Sequence, residues 1–169
     1  MTLILRPPTV ADEPVLRRLH AELATEDFPF LLADGPWDEM LATWGREAAG
    51  VDLPPGRVRA DFLVADVDGV PVGRVSIRYE LNEFLREVGG HVGYAVGREH
   101  RGRGHAREVL RQSVERLAGS GVDRVLVTCD DDNLASAAVI EACGGVLEDH
   151  RRTDDGILRR RYWIDATRS

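Results

Sequence analysis

Apolar residues recur along this chain at two spacings. Val15, Leu16, Leu19 and Leu23 lie three and four apart, which gathers them on one face of a helix over residues 10–24. Thr9 stands at the N-cap position, Asp12 follows three residues on, and Pro14 falls in the first turn, where proline is tolerated. Leu41 and Trp44 share a face of a second helix over 37–48, which the segment from Gly50 to Gly56 breaks. Residues 3–6 form a short strand and 61–67 a longer one. Asp68-Gly69 then makes a two-residue hairpin that brings 72–79 back as the partner strand. Residues 80–89 are a polar connection with Phe84-Leu85 at its centre and room for a short helical turn.

Residues 90–96 read as a strand, and a helix over 106–118 buries Val109, Leu110, Val114 and Leu117. The apolar run 124–129 suits a strand covered on both faces. Asp130, Asp131, Asp132 and Asn133 cap a helix over 134–142, which Gly144-Gly145 stops. Strands over 146–152 and 158–164 flank the turn at Asp154-Asp155-Gly156, with Tyr162 and Trp163 on opposite faces of the second. The order β-α-α-β-β-β-α-β-α-β-β predicts an α/β (α+β) fold with a mixed sheet and helices on both faces. With no repeat, linker or low-complexity stretch, residues 1–169 are expected to form one domain.

Composition narrows the function. At 169 residues, 43% hydrophobic and 30% charged, the chain has the make-up of a soluble globular protein. No apolar run is long enough to span a bilayer and the first residues are too short for a secretion signal, so a cytoplasmic location without a membrane partner is expected. A formal net charge of −7 speaks against nucleic acid and suits a cationic acceptor. Lysine is absent. Cys129 and Cys143 lack metal-ligand spacing and are expected as free buried thiols, with no metal.

The chemistry concentrates in residues 96–106, where a strand runs through a glycine-rich turn into a helix. That layout presents backbone N–H groups to a phosphate, and the glycines let the main chain approach it. Arg101, Arg103 and Arg107 add positive charge. A dinucleotide fingerprint needs a third glycine where Arg107 stands, and a Walker A loop needs a lysine. What remains is Arg101-x-x-Gly104-x-Ala106. It resembles the acetyl-CoA pyrophosphate loop of the GNAT superfamily of N-acetyltransferases, [QR]-x-x-G-x-[GA]. Residues 133–145, N-x-x-S-x-x-V-I-E-x-x-G-G in form, are similar to a second signature of that family. Together with the Arg161-Tyr162-Trp163-Ile164 ending and Leu81-Asn82-Glu83-Phe84-Leu85 before Gly89-Gly90-His91, they resemble one branch of predicted acetyltransferases.

This resemblance implies a GNAT-like, mostly antiparallel sheet of about seven strands with a splayed central pair. It implies acetyl-CoA as cosubstrate and direct transfer of acetyl to a primary amine on a small molecule or peptide, with a CoA-binding module that has lost turnover as the alternative. Tyr94, Ala95 and Val96 would offer backbone groups to pantetheine, with an N–H near Tyr94 polarising the thioester carbonyl. Arg101, Gly102, Arg103, Gly104, His105 and Ala106 would hold the pyrophosphate, and Asn133 and Ser136 would flank the CoA arm. Two positions depart from the family: Ile140 stands where many members carry a proton-donating Tyr, and Gly90 where some carry a Glu. His91, Glu87 and Glu83 are left as candidate bases, with His91 first because its ordinary pKa suits the task. Tyr94, Tyr162 or water could protonate the thiolate. The acceptor wall is expected from Glu26, Asp27, Phe28, Phe30, Asp34, Trp37 and Glu83, and a homodimer could form through the last hairpin.

Overall fold

The structure, a computed structural model, describes residues 2–167. Its strands are β1 (Leu3–Arg6), β2 (Ala60–Val67), β3 (Val70–Arg78), β4 (Val92–Val96), β5 (Arg124–Asp130), β6 (Val146–Arg152) and β7 (Leu158–Asp165). Its helices are α1 (Glu13–Ala24), α2 (Trp37–Ala49), α3 (His105–Gly119) and α4 (Leu134–Ala142). The seven strands form one sheet in the order β1-β2-β3-β4-β5-β7-β6, antiparallel at every junction except β4–β5.

Two hydrophobic layers sandwich this sheet. Val109, Leu110 and Leu117 of α3, with Ala137 and Ile140 of α4, pack on Leu63, Val75, Ile77, Val125, Val127 and Tyr162. On the other face Leu16, Leu19 and Leu23 of α1 meet Trp37, Met40 and Trp44 of α2 over Phe62 and Val64. Strand alternation assigns residues to the layers: Val75 and Ile77 of β3 face α3, while Arg74, Ser76 and Arg78 face α1 and α2.

The elements begin and end for local reasons. Asp12 accepts the Thr9 N–H at 2.7 Å and is clasped by Arg6, so the entry to α1 is pinned to β1. Only residues 13–24 are α-helical; Val10–Asp12 form a 3-10 turn. The β2–β3 hairpin turns on Asp68 (φ 53°) and Gly69 (φ 87°), the positive pair a tight two-residue turn requires. The 80–89 connection closes with a π-turn over Leu85–Gly89. Strand β4 starts at Val92 rather than residue 90, because Gly90 adopts φ +68° and a Cβ there would lie 2.7 Å from the Leu126 carbonyl oxygen. A glutamate at this position would therefore have no space.

Candidate active site between β4 and β5

The parallel junction is held only at its start. Val92 registers with Val127, the His91 N–H donates to the Leu126 carbonyl at 2.7 Å, and no further pairing joins β4 to β5 among the described residues. Beyond it the strands part. The Gly97 N–H donates to Val72 and the His91 carbonyl accepts from Arg78, both toward β3. By alternation, Tyr94 and Val96 then turn their N–H and C=O groups into the gap. An open edge of this kind accepts an extended amide chain as an added strand.

Below the gap, the loop from Gly97 leads into α3. Gly102 (φ +74°) and Gly104 (φ +82°) are left-handed, and nothing lies within 4 Å of where a Cβ would stand on either. Gly104 is the N-cap, and the Glu108 backbone N–H donates to its carbonyl at 3.2 Å. The N–H groups of His105, Ala106 and Arg107 precede the first intrahelical bond and point out of the helix end, where the macrodipole is positive. A cleft of about 380 Å³ beside this end is lined by Arg103, Gly104, His105 and Glu108 from the loop side. Arg101 is committed elsewhere: its Nε donates to the Val96 carbonyl at 3.1 Å and its guanidinium pairs with Glu26 of the α1 end. Hydrogen bonds from Arg101 and Arg98 hold the Glu26 carboxyl down at about 2. Glu26 is thus a latch on the loop rather than part of an acceptor wall.

A polar chain crosses the gap on the α4 side. The Tyr94 hydroxyl and Ser136 Oγ are 3.0 Å apart, and the Ser136 N–H donates to Asn133 Oδ1 at 3.1 Å. Asn133 thereby caps α4 while Ser136 binds the tyrosine. Burial pushes the Tyr94 phenol up to about 12, so it carries its proton throughout the physiological range. Tyr162, the other candidate donor, is in the core with its hydroxyl given to Glu141 at 2.9 Å. Ile140 is fully buried beneath α4.

The predicted bases do not converge on the gap. His91 is buried, and its Nδ1 accepts the Leu126 N–H at 2.8 Å. The neutral ring then carries its proton on Nε2 and has no free lone pair. Burial, with the charges of Arg86 and Arg78, lowers its pKa to about 4. His91 is a clasp between the strands, not a base. Glu87 is ion-paired with Arg151 of β6, and Glu83 is exposed. The expected acceptor wall also disperses. Phe30 and Trp37 are core, Asp27 sits in a positive-φ turn, and Asp34 is exposed. Cys129 is buried and Cys143 partly so; both are free, with burial raising both thiols.

The α1/α2 face of the gap carries arginine instead. Arg74 is 2% exposed and donates to the carbonyls of Phe30 (2.7 Å), Gly93 (2.8 Å) and Pro29 (3.0 Å). Its guanidinium lies 4.7 Å from the Phe28 ring centroid. Burial, then the charge of Arg78, brings its pKa to about 9, so it remains charged at neutral pH. Arg78 donates to the carbonyls of Gly89 (3.1 Å) and Gly90 (3.4 Å), and its head lies 3.5 Å from where a Cβ of Gly93 would stand. None of these arginines stood out from the sequence. The signal available was Arg74-x-Ser76-x-Arg78 on one strand face opposite the small Gly93 and Ala95.

A sheet parted beside a phosphate-type helix mouth defines the class of acyl-CoA-type transferase folds. The chain matches the family model described as an acetyltransferase (GNAT) domain over residues 2–146, and it belongs to that family. No curated protein matches the sequence. Among solved structures it is similar to RimJ of Mycobacterium smegmatis in complex with CoA-disulfide, with 20% identity, a TM-score of 0.76, and 98% of this chain and 82% of that one covered. It is also similar to a protein described as a probable acetyltransferase (18% identity, TM-score 0.75, 99% and 94% covered). The putative acetyltransferase yncA of Salmonella typhimurium, solved with acetyl-CoA, has 17% identity, a TM-score of 0.66, and 100% and 96% coverage.

Proposed function

We propose that this protein is an acetyl-CoA-dependent N-acetyltransferase acting on a primary amine. The observation that carries this reading is the open edge of β4 running into the α3 mouth, which together fit an extended amide arm ending in a diphosphate. Acetyl-CoA supplies an activated acyl thioester. The N–H groups at the start of α3, with Arg103 and Arg107, hold the diphosphate. The Tyr94 carbonyl and the Val96 N–H meet the pantetheine amides, and the Tyr94 N–H polarises the thioester carbonyl. Transfer forms a C–N bond, breaks the C–S bond, removes one proton from nitrogen and delivers one to sulfur. The Tyr94 hydroxyl, protonated and steered by Ser136, donates that last proton and so takes the part that Ile140 cannot play.

Among the described residues no carboxylate stands unpaired as a base in the gap, so the proton lost from nitrogen passes to water, and water returns a proton to Tyr94. Positive charge from Arg74 and Arg78 disfavours an ammonium ion beside them, so the amine enters neutral. A homodimer through the β6 edge, where Val146 and Leu147 are exposed, completes the proposal. The test is thiol release from acetyl-CoA across an amine panel, with acetyl-CoA affinity measured in parallel. Binding with amine-dependent release supports the reading. Binding without release with any amine would leave a CoA-binding module, and no binding would refute both.

A further inference from the structure

Buried charge is normally paired, because a desolvated cation is costly without a counter-ion. The α1/α2 face of the gap departs from this rule. No carboxylate among the described residues lies within ion-pair distance of the buried Arg74, the half-buried Arg78 or the exposed Arg57. Arg74 is satisfied by three carbonyls. Arg78 is not: its hydrogen bonds all leave one nitrogen, Nη1. It lines a cavity of about 150 Å³ with Arg57, Ser76, Asn82, Phe84 and Trp44.

Acids near this cavity do not answer the charge. The Asp61 carboxylate faces α3, where it accepts from the Tyr79 hydroxyl at 2.5 Å and meets Arg116 at 3.5 Å. Glu47 lines the α2 end and forms no recorded ion pair with either arginine. On the opposite lip of the gap, Arg159 of β7 reaches over β5, bonding Asp130 at 2.9 Å and Thr128 Oγ1 at 3.0 Å. Its Nε is buried without a hydrogen-bond partner, and it is the sole buried side-chain nitrogen or oxygen so recorded among the described residues. An unsatisfied buried donor calls for an explanation. The charges of both Arg57 and Arg159 bear on Arg78.

We propose that the acceptor is a short primary amine carrying an anionic group, a carboxylate or a phosphate, and that Arg78 and Arg159 hold that group across the gap. The proposal rests on the acetyl-transfer reading above and names its substrate class. It reverses the expectation, drawn from net charge, of a cationic acceptor. The anion supplies the counter-charge that Arg78 lacks and an acceptor for the unpartnered Nε of Arg159, which keeps its ion pair with Asp130. Because the Arg78 head lies against Gly93, one residue before the backbone group assigned to the thioester, anion and amine are separated by only a few bonds. Arg78 and Arg159 are specificity residues: they touch the acceptor, not the reacting atoms.

The experiment compares size-matched amines on the intact protein with saturating acetyl-CoA: β-alanine against propylamine, phosphoethanolamine against ethanolamine, and 1,3-diaminopropane as the cationic arm. The anionic members are expected to show kcat/KM roughly tenfold or more above their neutral twins, as a charge-assisted contact would give. The carboxylate and phosphate arms decide between the two sources. Arg159→Gln should raise KM for the anionic amine while leaving KM for acetyl-CoA unchanged, and Arg159→Lys should recover part of the loss. Calorimetric titration of the same amines into CoA-loaded protein keeps the test decisive if turnover is slow. Equal or better use of neutral or cationic amines, or no anionic amine binding at millimolar concentration to protein that binds CoA, would overturn the proposal and leave acetyl transfer standing. Failure to bind acetyl-CoA at all would instead remove the reading beneath it.

Discussion

His91 shows how far a residue type alone can mislead. Its ordinary pKa suggested a base; its position in space makes it an acceptor for the Leu126 N–H. Substituting leucine would strand that N–H, at a cost of about 1–3 kcal/mol. Asparagine, which keeps an acceptor near Nδ1, should retain most stability and the full pH profile of acetyl transfer; a lost acidic limb in His91→Asn would restore the catalytic role. The ring also ties stability to pH. Its folded pKa of about 4 lies below the ordinary 6.5, so between those values the unfolded chain binds more protons. Stability is therefore fully present above pH 6.5 and falls as pH drops toward 4, by up to about 3 kcal/mol from this residue. Urea melts across that window should show the slope in the wild type and a reduced one in His91→Asn. Tyr94→Phe isolates the other polar role. It should lower kcat with little change in the KM for acetyl-CoA, and an unchanged kcat would mean that sulfur takes its proton from water.

At the scale of elements, the mouth of α3 was the most legible feature, because glycine spacing, arginines and helix periodicity lie in one continuous stretch. Gly104→Val should abolish acetyl-CoA binding, since the branched side chain fills open space at the N-cap and the +82° φ penalises it further. Retained affinity by calorimetry would refute the assignment. Strand and helix identities were equally readable, since each rests on local periodicity. The place of β7 between β5 and β6 was not, because pairing order is set by which apolar faces meet across the whole chain. Helix α4 also hid its constraint. Ile140 occupies the familiar tyrosine position, yet it is fully buried, and Gly145 packs so closely over it that a Cβ would sit 2.8 Å from its carbonyl oxygen. Ile140→Tyr should therefore destabilise the fold through overpacking, by about 1–3 kcal/mol in urea denaturation, without raising turnover.

Across the whole molecule, the two layers are unequal in chemistry. The α3/α4 face carries the helix mouth proposed for the acyl carrier; the α1/α2 face carries the positive field. Sequence patterning revealed both layers but not the field, because a strand arginine reads as a surface residue until a small partner such as Gly93 or Ala95 makes room for it inward. Arg74→Met should unfold or strongly destabilise the protein, by several kcal/mol, since it strands the carbonyls of Pro29, Phe30 and Gly93 together. Chemical denaturation measures this directly, and near-wild-type stability would show that water can replace the guanidinium.

That side chain has a mechanical consequence. One rigid fork rivets the segment after α1 to β4, the strand proposed to hold the thioester, so neither can shift alone. An acceptor that draws the first inward tugs on the second, and a donor that spreads the second repositions the first. Two substrates meeting at such a joint arrive in sequence, and initial-rate patterns should report a compulsory order of addition rather than a random one.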